Sequence, residues 1–311
     1  MSYSFLRESK LYLVYGGTKY NIRTTSAITF NQTFAEDSYP VKTLHEQTKM
    51  FEGSTITKAN PANFRFTVPL TIEKDESIVI DLLSDLVETT DAGITTQQLK
   101  SFDMYVQTGS STFKLESAVV TRGNFVFTAK DQFTVELEGQ GTKLSRVGDE
   151  SFSIPGSAQS ESSTRTPLLV YPVLTFDSLT MSGILNVSLS ITNEVDWTPY
   201  ETLQDSLSVT DSSNAMFPST YTISKRIASG AVVQYQLDNN ITQFDDFSTN
   251  SNLIIKAVRV GEASNATPFF QIQLNPISYT ARMSPGETFT QSYDFTSNDN
   301  TSIATRITQY S

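Results

Sequence analysis

Residues 62–70 read Ala62-Asn63-Phe64-Arg65-Phe66-Thr67-Val68-Pro69-Leu70, with an apolar side chain at every even position and a polar or turn-forming one at every odd position. Successive side chains of a strand point to opposite faces, so this alternation predicts a strand with one buried face. The pattern recurs outward in both directions. On the N-terminal side, Leu11, Leu13 and Tyr15 precede the turn Gly16-Gly17-Thr18-Lys19, and Tyr20 and Ile22 follow it, which reads as a hairpin. On the C-terminal side come Phe102, Met104 and Val106, then Phe125 and Phe127, then Phe133, Val135 and Leu137. It returns at Leu185, Val187, Leu189 and Ile191, at Leu253, Ile255 and Ala257, and at Phe270, Ile272 and Leu274. With 20 Phe and 13 Tyr among 311 residues, the composition favours a pleated, half-buried surface, and the fold class is mainly β.

One helix interrupts the pattern. Val79, Leu82, Leu83, Leu86 and Val87 follow helical spacing and predict a helix over about 74–88. Asp75 and Glu76 suit its N-terminus, and Thr89-Thr90-Asp91-Ala92-Gly93 supplies a stop. Residues 149–167 are small and polar, notably Ser157-Ala158-Gln159-Ser160-Glu161-Ser162-Ser163-Thr164, and read as a linker between domains at 1–148 and 168–311.

The two domains resemble each other. Tyr39-Pro40-Val41-Lys42-Thr43-Leu44 matches Thr198-Pro199-Tyr200-Glu201-Thr202-Leu203, and Met50-Phe51 matches Met216-Phe217. Phe127-Thr128-Ala129-Lys130 matches Tyr279-Thr280-Ala281-Arg282, and Phe133-Thr134 matches Phe289-Thr290. Four landmarks in one order imply duplication. The helix is the departure, because the second half offers only Ile241, Phe244 and Phe247 there.

Signals for chemistry are sparse. A net charge of −11 disfavours a general nucleic-acid binder, since phosphate contacts rest on clustered Lys and Arg. The chain has no cysteine, and its lone histidine, His45, sits in a polar stretch without a nucleophile elbow. Adjacent carboxylates, Glu36-Asp37 and Asp245-Asp246, read as a solvated acidic surface rather than a glycosidase pair. Trp197 beside Tyr200 reads as a loop anchor in preference to a sugar platform, and Asn186 and Asn300 fit the glycosylation pattern by chance. No run is apolar enough for a membrane span, and Met1-Ser-Tyr-Ser does not begin a secretion signal. The expectation is a non-enzymatic protein with no metal, no cofactor and no membrane partner.

Residues 44–64, from Leu44-His45-Glu46-Gln47 through Met50-Phe51-Glu52-Gly53 to Asn60-Pro61-Ala62-Asn63-Phe64, resemble the long connection and following strand of tail tube proteins from siphovirus-type bacteriophages. The strand with Ile28 and Phe30 ahead of them, and the strand and helix behind, stand in the order those proteins share. The resemblance implies two related tail tube domains of β-sandwich or barrel-like form. It implies three such chains supplying six domains to a pseudo-hexameric ring, and rings stacking into a virion tube without a sheath. Such a tube, made in the host cytoplasm, conducts tape measure protein and then DNA without binding it specifically, and ends on tail tip and terminator proteins. An acidic bore is expected from the net charge. Loops 38–63 and 198–220 would carry ring-to-ring contacts, with Met50, Phe51, Met216 and Phe217 as the apolar candidates. The same Met-Phe pairs are equally compatible with closing the base of their own cores, and both readings stand at this point. The rival is a receptor-binding or baseplate β-structured subunit that binds glycan.

Overall fold

The structure is a computed structural model, and it describes residues 9–40, 51–91, 94–127, 131–176, 179–197, 216–235, 251–286, 288–297 and 307–309. The first half runs β1 (Lys10–Tyr15), β2 (Thr18–Ile22), β3 (Thr29–Asn31), β4 (Phe34–Pro40), β5 (Phe51–Ala59), β6 (Ala62–Pro69), α1 (Ile78–Ser84), β7 (Leu86–Asp91) and β8 (Ile94–Leu99). It continues with β9 (Phe102–Gln107), β10 (Thr112–Phe127), β11 (Thr134–Gly141) and β12 (Lys143–Gly148). After β13 (Ser157–Ala158), the second half runs β14 (Val170–Phe176), β15 (Leu179–Thr180), β16 (Ile184–Trp197), β17 (Tyr221–Tyr235), β18 (Ser251–Arg259), β19 (Phe270–Ser284), β20 (Thr290–Ser297) and β21 (Ile307–Gln309). The mainly β class is borne out.

Strand order repeats. One small sheet runs β2-β1-β9-β10-β12, and another runs β15-β14-β18-β19-β21. The large sheet runs β3-β6-β11-β10 and then continues, through antiparallel pairing of β10 with β16, into β16-β17-β20-β19. Each four-strand block is the other's counterpart. β10 and β19 are the corner strands that pass from a small sheet into the large one. β10 turns at Ser117, whose φ of 47° lies in the left-handed region. β19 turns near Pro276, a residue with no N–H to offer a ladder.

The inner face of the large sheet packs on both small sheets around one continuous core. Phe64 of the large sheet meets Phe102 edge-on at 6.0 Å, and in the other half Phe176 meets Tyr279 edge-on at 5.0 Å. One cross-strand pair shows how closely the halves follow one plan. In the first half Phe64 of β6 faces Gly139 of β11, and in the second Gly230 of β17 faces Phe295 of β20. The aromatic ring and the space for it have changed strands, while the pair keeps its combined volume.

Three sequence expectations need correction. The helix spans Ile78–Ser84, not 74–88, because Asp85 adopts extended backbone (ψ 144°) and its carboxylate pairs with Lys100. Leu86 and Val87, which fit helical spacing, belong instead to the β7–β8 hairpin, where Val87 is exposed. The helix packs inside the fold, with Leu83 over Gly123 and with Ile80, Leu82 and Leu83 fully buried.

Second, residues 149–167 are not a free tether. β13 pairs in parallel with β2, and Arg165 is buried against Asp75 (3.2 Å) and Glu76 (3.0 Å), with Glu161 at 2.8 Å. Asp75 and Glu76 thus neutralise this strap instead of capping a helix. Leu70, Phe133 and Leu168 close its far end with a ring of three backbone hydrogen bonds of 2.8–3.1 Å. Third, the ladders set Val126 opposite Thr134 and Ser284 opposite Thr290. They support the match of Phe133-Thr134 to Phe289-Thr290, but displace that of Phe127 to Tyr279. The segment containing Ile241, Phe244 and Phe247 lies outside the described residues.

The Phe–Gly exchange yields a test. A methyl group added at Gly230 would stand 2.0 Å from the Ser188 carbonyl oxygen and 2.7 Å from the Phe295 ring. Gly230→Ala is expected to cost about 1–3 kcal/mol by overpacking, read as a lower thermal midpoint, with Ser229→Ala as the near-neutral neighbour.

Candidate assembly surface

Alternation along the large sheet leaves one broad face to solvent. β16 contributes Ser188, Ser190 and Thr192 to it, β20 contributes Ser292, Asp294 and Thr296, and β6 contributes Asn63, Arg65 and Thr67. Where all eight strands lie side by side, its charged residues are Arg65, Arg122 and Arg282 against Glu136, Glu138 and Asp294. These charges are partnered. Arg65 Nε donates to Glu136 at 2.7 Å and stands 3.4 Å from Glu138, and Arg282 stands 3.5 Å from Asp294. Asn124 donates to Glu136 at 3.3 Å, and Arg122 reaches Asn124 (3.2 Å) and Ser190 (3.4 Å), which carries the network from β11 across β10 onto β16. Hydrogen bonding and the charge of Glu136 raise the pKa of Arg65. Exposed pairs of this kind add little stability, so their effect is on surface potential.

Beneath this face lies the junction between the halves. Six residue pairs, Arg122↔Thr192 to Phe127↔Val187, join β10 to β16. Under them Phe270 stacks on Phe133 with centroids 5.7 Å apart and lies 5.2 Å from Phe125. Farther along, the C-terminus of α1 leaves carbonyls without helical partners, and residues of the second half satisfy them. Asn193 Nδ2 donates to Leu83 O (3.2 Å) and Val120 O (3.0 Å). Arg226 donates to Ser84 O at 2.8 Å and to Asn193 Oδ1 at 2.8 Å. Burial pulls the Arg226 guanidinium down to about 10, opposed by the charge of Asp85, so it remains a cation at neutral pH and suits the negative end of the helix.

Asn193 and Arg226 were not singled out from the sequence, although a signal exists. Asn193 occupies the next inward position after Val187, Leu189 and Ile191, where the pattern requires an apolar residue. Met50 lies outside the described residues, and Phe51 opens β5 with its side chain outside them. Met216 and Phe217 are half-buried just before β17. The Phe217 ring stands edge-on to Phe34 at 6.4 Å and under Lys143 Nζ at 5.0 Å, and so against the first half. Trp197 anchors the end of β16, donating to Gln140 at 2.8 Å with its ring 5.2 Å from Tyr221. His45, Asp245, Asp246, Tyr200 and Asn300 lie outside the described residues, as do the side chains of Glu36 and Asp37, while Asn186 is exposed on β16.

Among the described residues no helix is long and apolar enough to cross a membrane. No curated protein matches the chain significantly. A family model, described as the Bacteriophage Baseplate Tube Protein Family, matches residues 1–308, and the chain belongs to that family. It is a structural tube protein of the phage tail and a component of the virion.

The buried pins and the exposed arginines should respond differently to substitution. Arg226→Met keeps the bulk but leaves Asn193 Oδ1 and the Ser84 carbonyl without their donor, at about 1–3 kcal/mol for each orphaned group. Arg122→Met on the open face should stay within about 0.5 kcal/mol of wild type. Urea unfolding midpoints compare the two directly.

Proposed function

We propose that three copies of this tube-family protein close into a pseudo-hexameric ring, a segment of the conduit for tape measure protein and then DNA. One observation carries this reading: the large sheet is two tandem copies of a single four-strand order, and β3 at one end and the last part of β19 at the other have no further strand beside them among the described residues. Open edges endanger a monomer, and closed cyclic pairing removes them. On this reading residues 1–148 and 168–311 are the two repeats and residues 149–167 the strap that sets one against the other.

The open face of the large sheet then lines the bore. Hydroxyl and amide groups hold water there, and the three arginines are matched by three acids. The bore wall is accordingly balanced in the eight-strand region, not acidic, and a passing polyanion meets no net positive charge to hold it. The work is mechanical, and no enzymatic step, cofactor or membrane is required. Tail tip and terminator proteins would meet the end rings, and the chain would be made in the host cytoplasm before assembly.

The family description favours a ring near the baseplate. The likeness of residues 44–64 to siphophage tube proteins favours the major tube of a long tail as the second reading. Electron microscopy of purified protein at several concentrations, with light scattering for mass, separates the two. Discrete three-chain rings or short stacks support the first, long hollow filaments the second, and a stable monomer at every concentration overturns both. Met50→Ser with Phe51→Ser is expected to leave folded rings that no longer stack, whereas loss of folding would assign those residues to the core.

A further inference from the structure

The internal junction is a template for the junction between copies. Because the two blocks share one strand order, β10 paired with β16 inside the chain has a counterpart in which β19 of one copy meets β3 of the next. The ladders fix which residue answers to which. Thr134 and Thr290 are counterparts, so Val126 corresponds to Ser284 and Phe125 to Met283. By the same ladders Gly139 corresponds to Phe295, hence Phe64 to Gly230, and hence Phe30 to Leu189 and Thr29 to Ser188. Internally, Val126 faces Ser188 and Phe125 faces Leu189. We infer that a second copy of this chain docks with its Thr29 opposite Ser284 and its Phe30 opposite Met283, in antiparallel register.

Burial on the two sides fits this assignment. In the internal junction Phe125 and Phe133 are 1% and 2% exposed, covered by Phe270. Their counterparts Met283 and Phe289 are 46% and 53% exposed. The same two-residue socket is thus filled at one end of the sheet and open at the other. What should fill it is the counterpart of Phe270. That is Phe113, which lies near the start of β10 and faces Val106 of β9, as Phe270 starts β19 and faces Ala257 of β18. Phe113 is only partly buried and packs on Phe30 at 5.5 Å, at the very edge that would be offered to Met283 and Phe289. Outward positions agree as well. Thr29 and Asn31 on β3 are exposed and polar, like exposed Ser188 and half-buried Ser190, so the neighbouring copy would extend the same hydroxylated face.

This inference rests on the ring reading, and the absence of cysteine from the chain gives it a clean test. Directly opposed strand residues lie within disulfide reach, with Cα atoms about 4.5–5.5 Å apart. Diagonal neighbours, at about 7–8 Å, do not. The pair Thr29→Cys with Ser284→Cys, oxidised after assembly, should link chains covalently in a series that closes at three. Asn31→Cys with Ser284→Cys, one diagonal step out of register, should not. Val126→Cys with Ser188→Cys should link within one chain and reports the internal register. Phe289→Asp should abolish rings while that internal link still forms. Rings seen by microscopy in which the Thr29–Ser284 pair fails to link would overturn this junction and leave the ring reading intact. A monomer that forms the internal link but no ring at any concentration would overturn the ring reading, and the junction with it.

Discussion

The structure depends on the hydrogen-bonded ladder between β10 and β16. Without it the chain would be two small sandwiches on a string, each with a bare strand edge. With it the two large-sheet blocks become one surface whose inner side has a single core. Backbone pairing fixes register but not rotation about the seam, and the side chains below the seam supply what is missing. The Phe125, Phe133 and Phe270 rings fill the space under it, and Arg226 with Asn193 ties the helix of one half to two strands of the other. Apolar packing gives most of the attraction, while the directional polar contacts make one arrangement of the halves better satisfied than its neighbours.

Much of this was legible in the sequence because strand alternation is a local property. Phe64, Phe66 and Val68 state which face is buried without reference to anything distant, and the Gly16-Gly17 turn, with φ of 57° and 79°, names its own hairpin. The helix boundary was misread for an equally physical reason. Leu86 and Val87 satisfy a helical period by coincidence, and the decision to end the helix at Ser84 is made by Asp85 and Lys100, a contact 15 residues apart. The strap was misread because composition records polarity but not partners. A stretch of serines around one arginine resembles a tether until Asp75 and Glu76, some 90 residues away, prove to be where that arginine goes. The candidate residues fared unevenly: Phe217 lies against the first half, and the junction pins Asn193 and Arg226 went unnoticed as polar intrusions in apolar registers.

Electrostatics follow the same division between local and global. The chain carries −11 overall, yet the eight-strand face carries three positive and three negative groups, so the excess acidity resides elsewhere. Net charge therefore describes how the protein behaves toward its neighbours at long range, and says little about any one surface. Placement of Arg65, Arg122 and Arg282 among acids and amides gives that face short-range dipoles with little long-range field.

The docked strap has a kinetic meaning. Joining independent bodies into a closed ring forfeits translational and rotational freedom at each encounter, and the forfeit is what makes the first ring slow to form. A chain whose strap already holds one seam shut has met part of that cost during its own folding, as an intramolecular event at high effective concentration. On the proposed three-chain ring, a six-fold surface would then nucleate from three bodies in place of six, with a correspondingly shallower dependence on protein concentration. Arg165, buried between two carboxylates, would on that reading help decide how few molecules are needed to begin a tube.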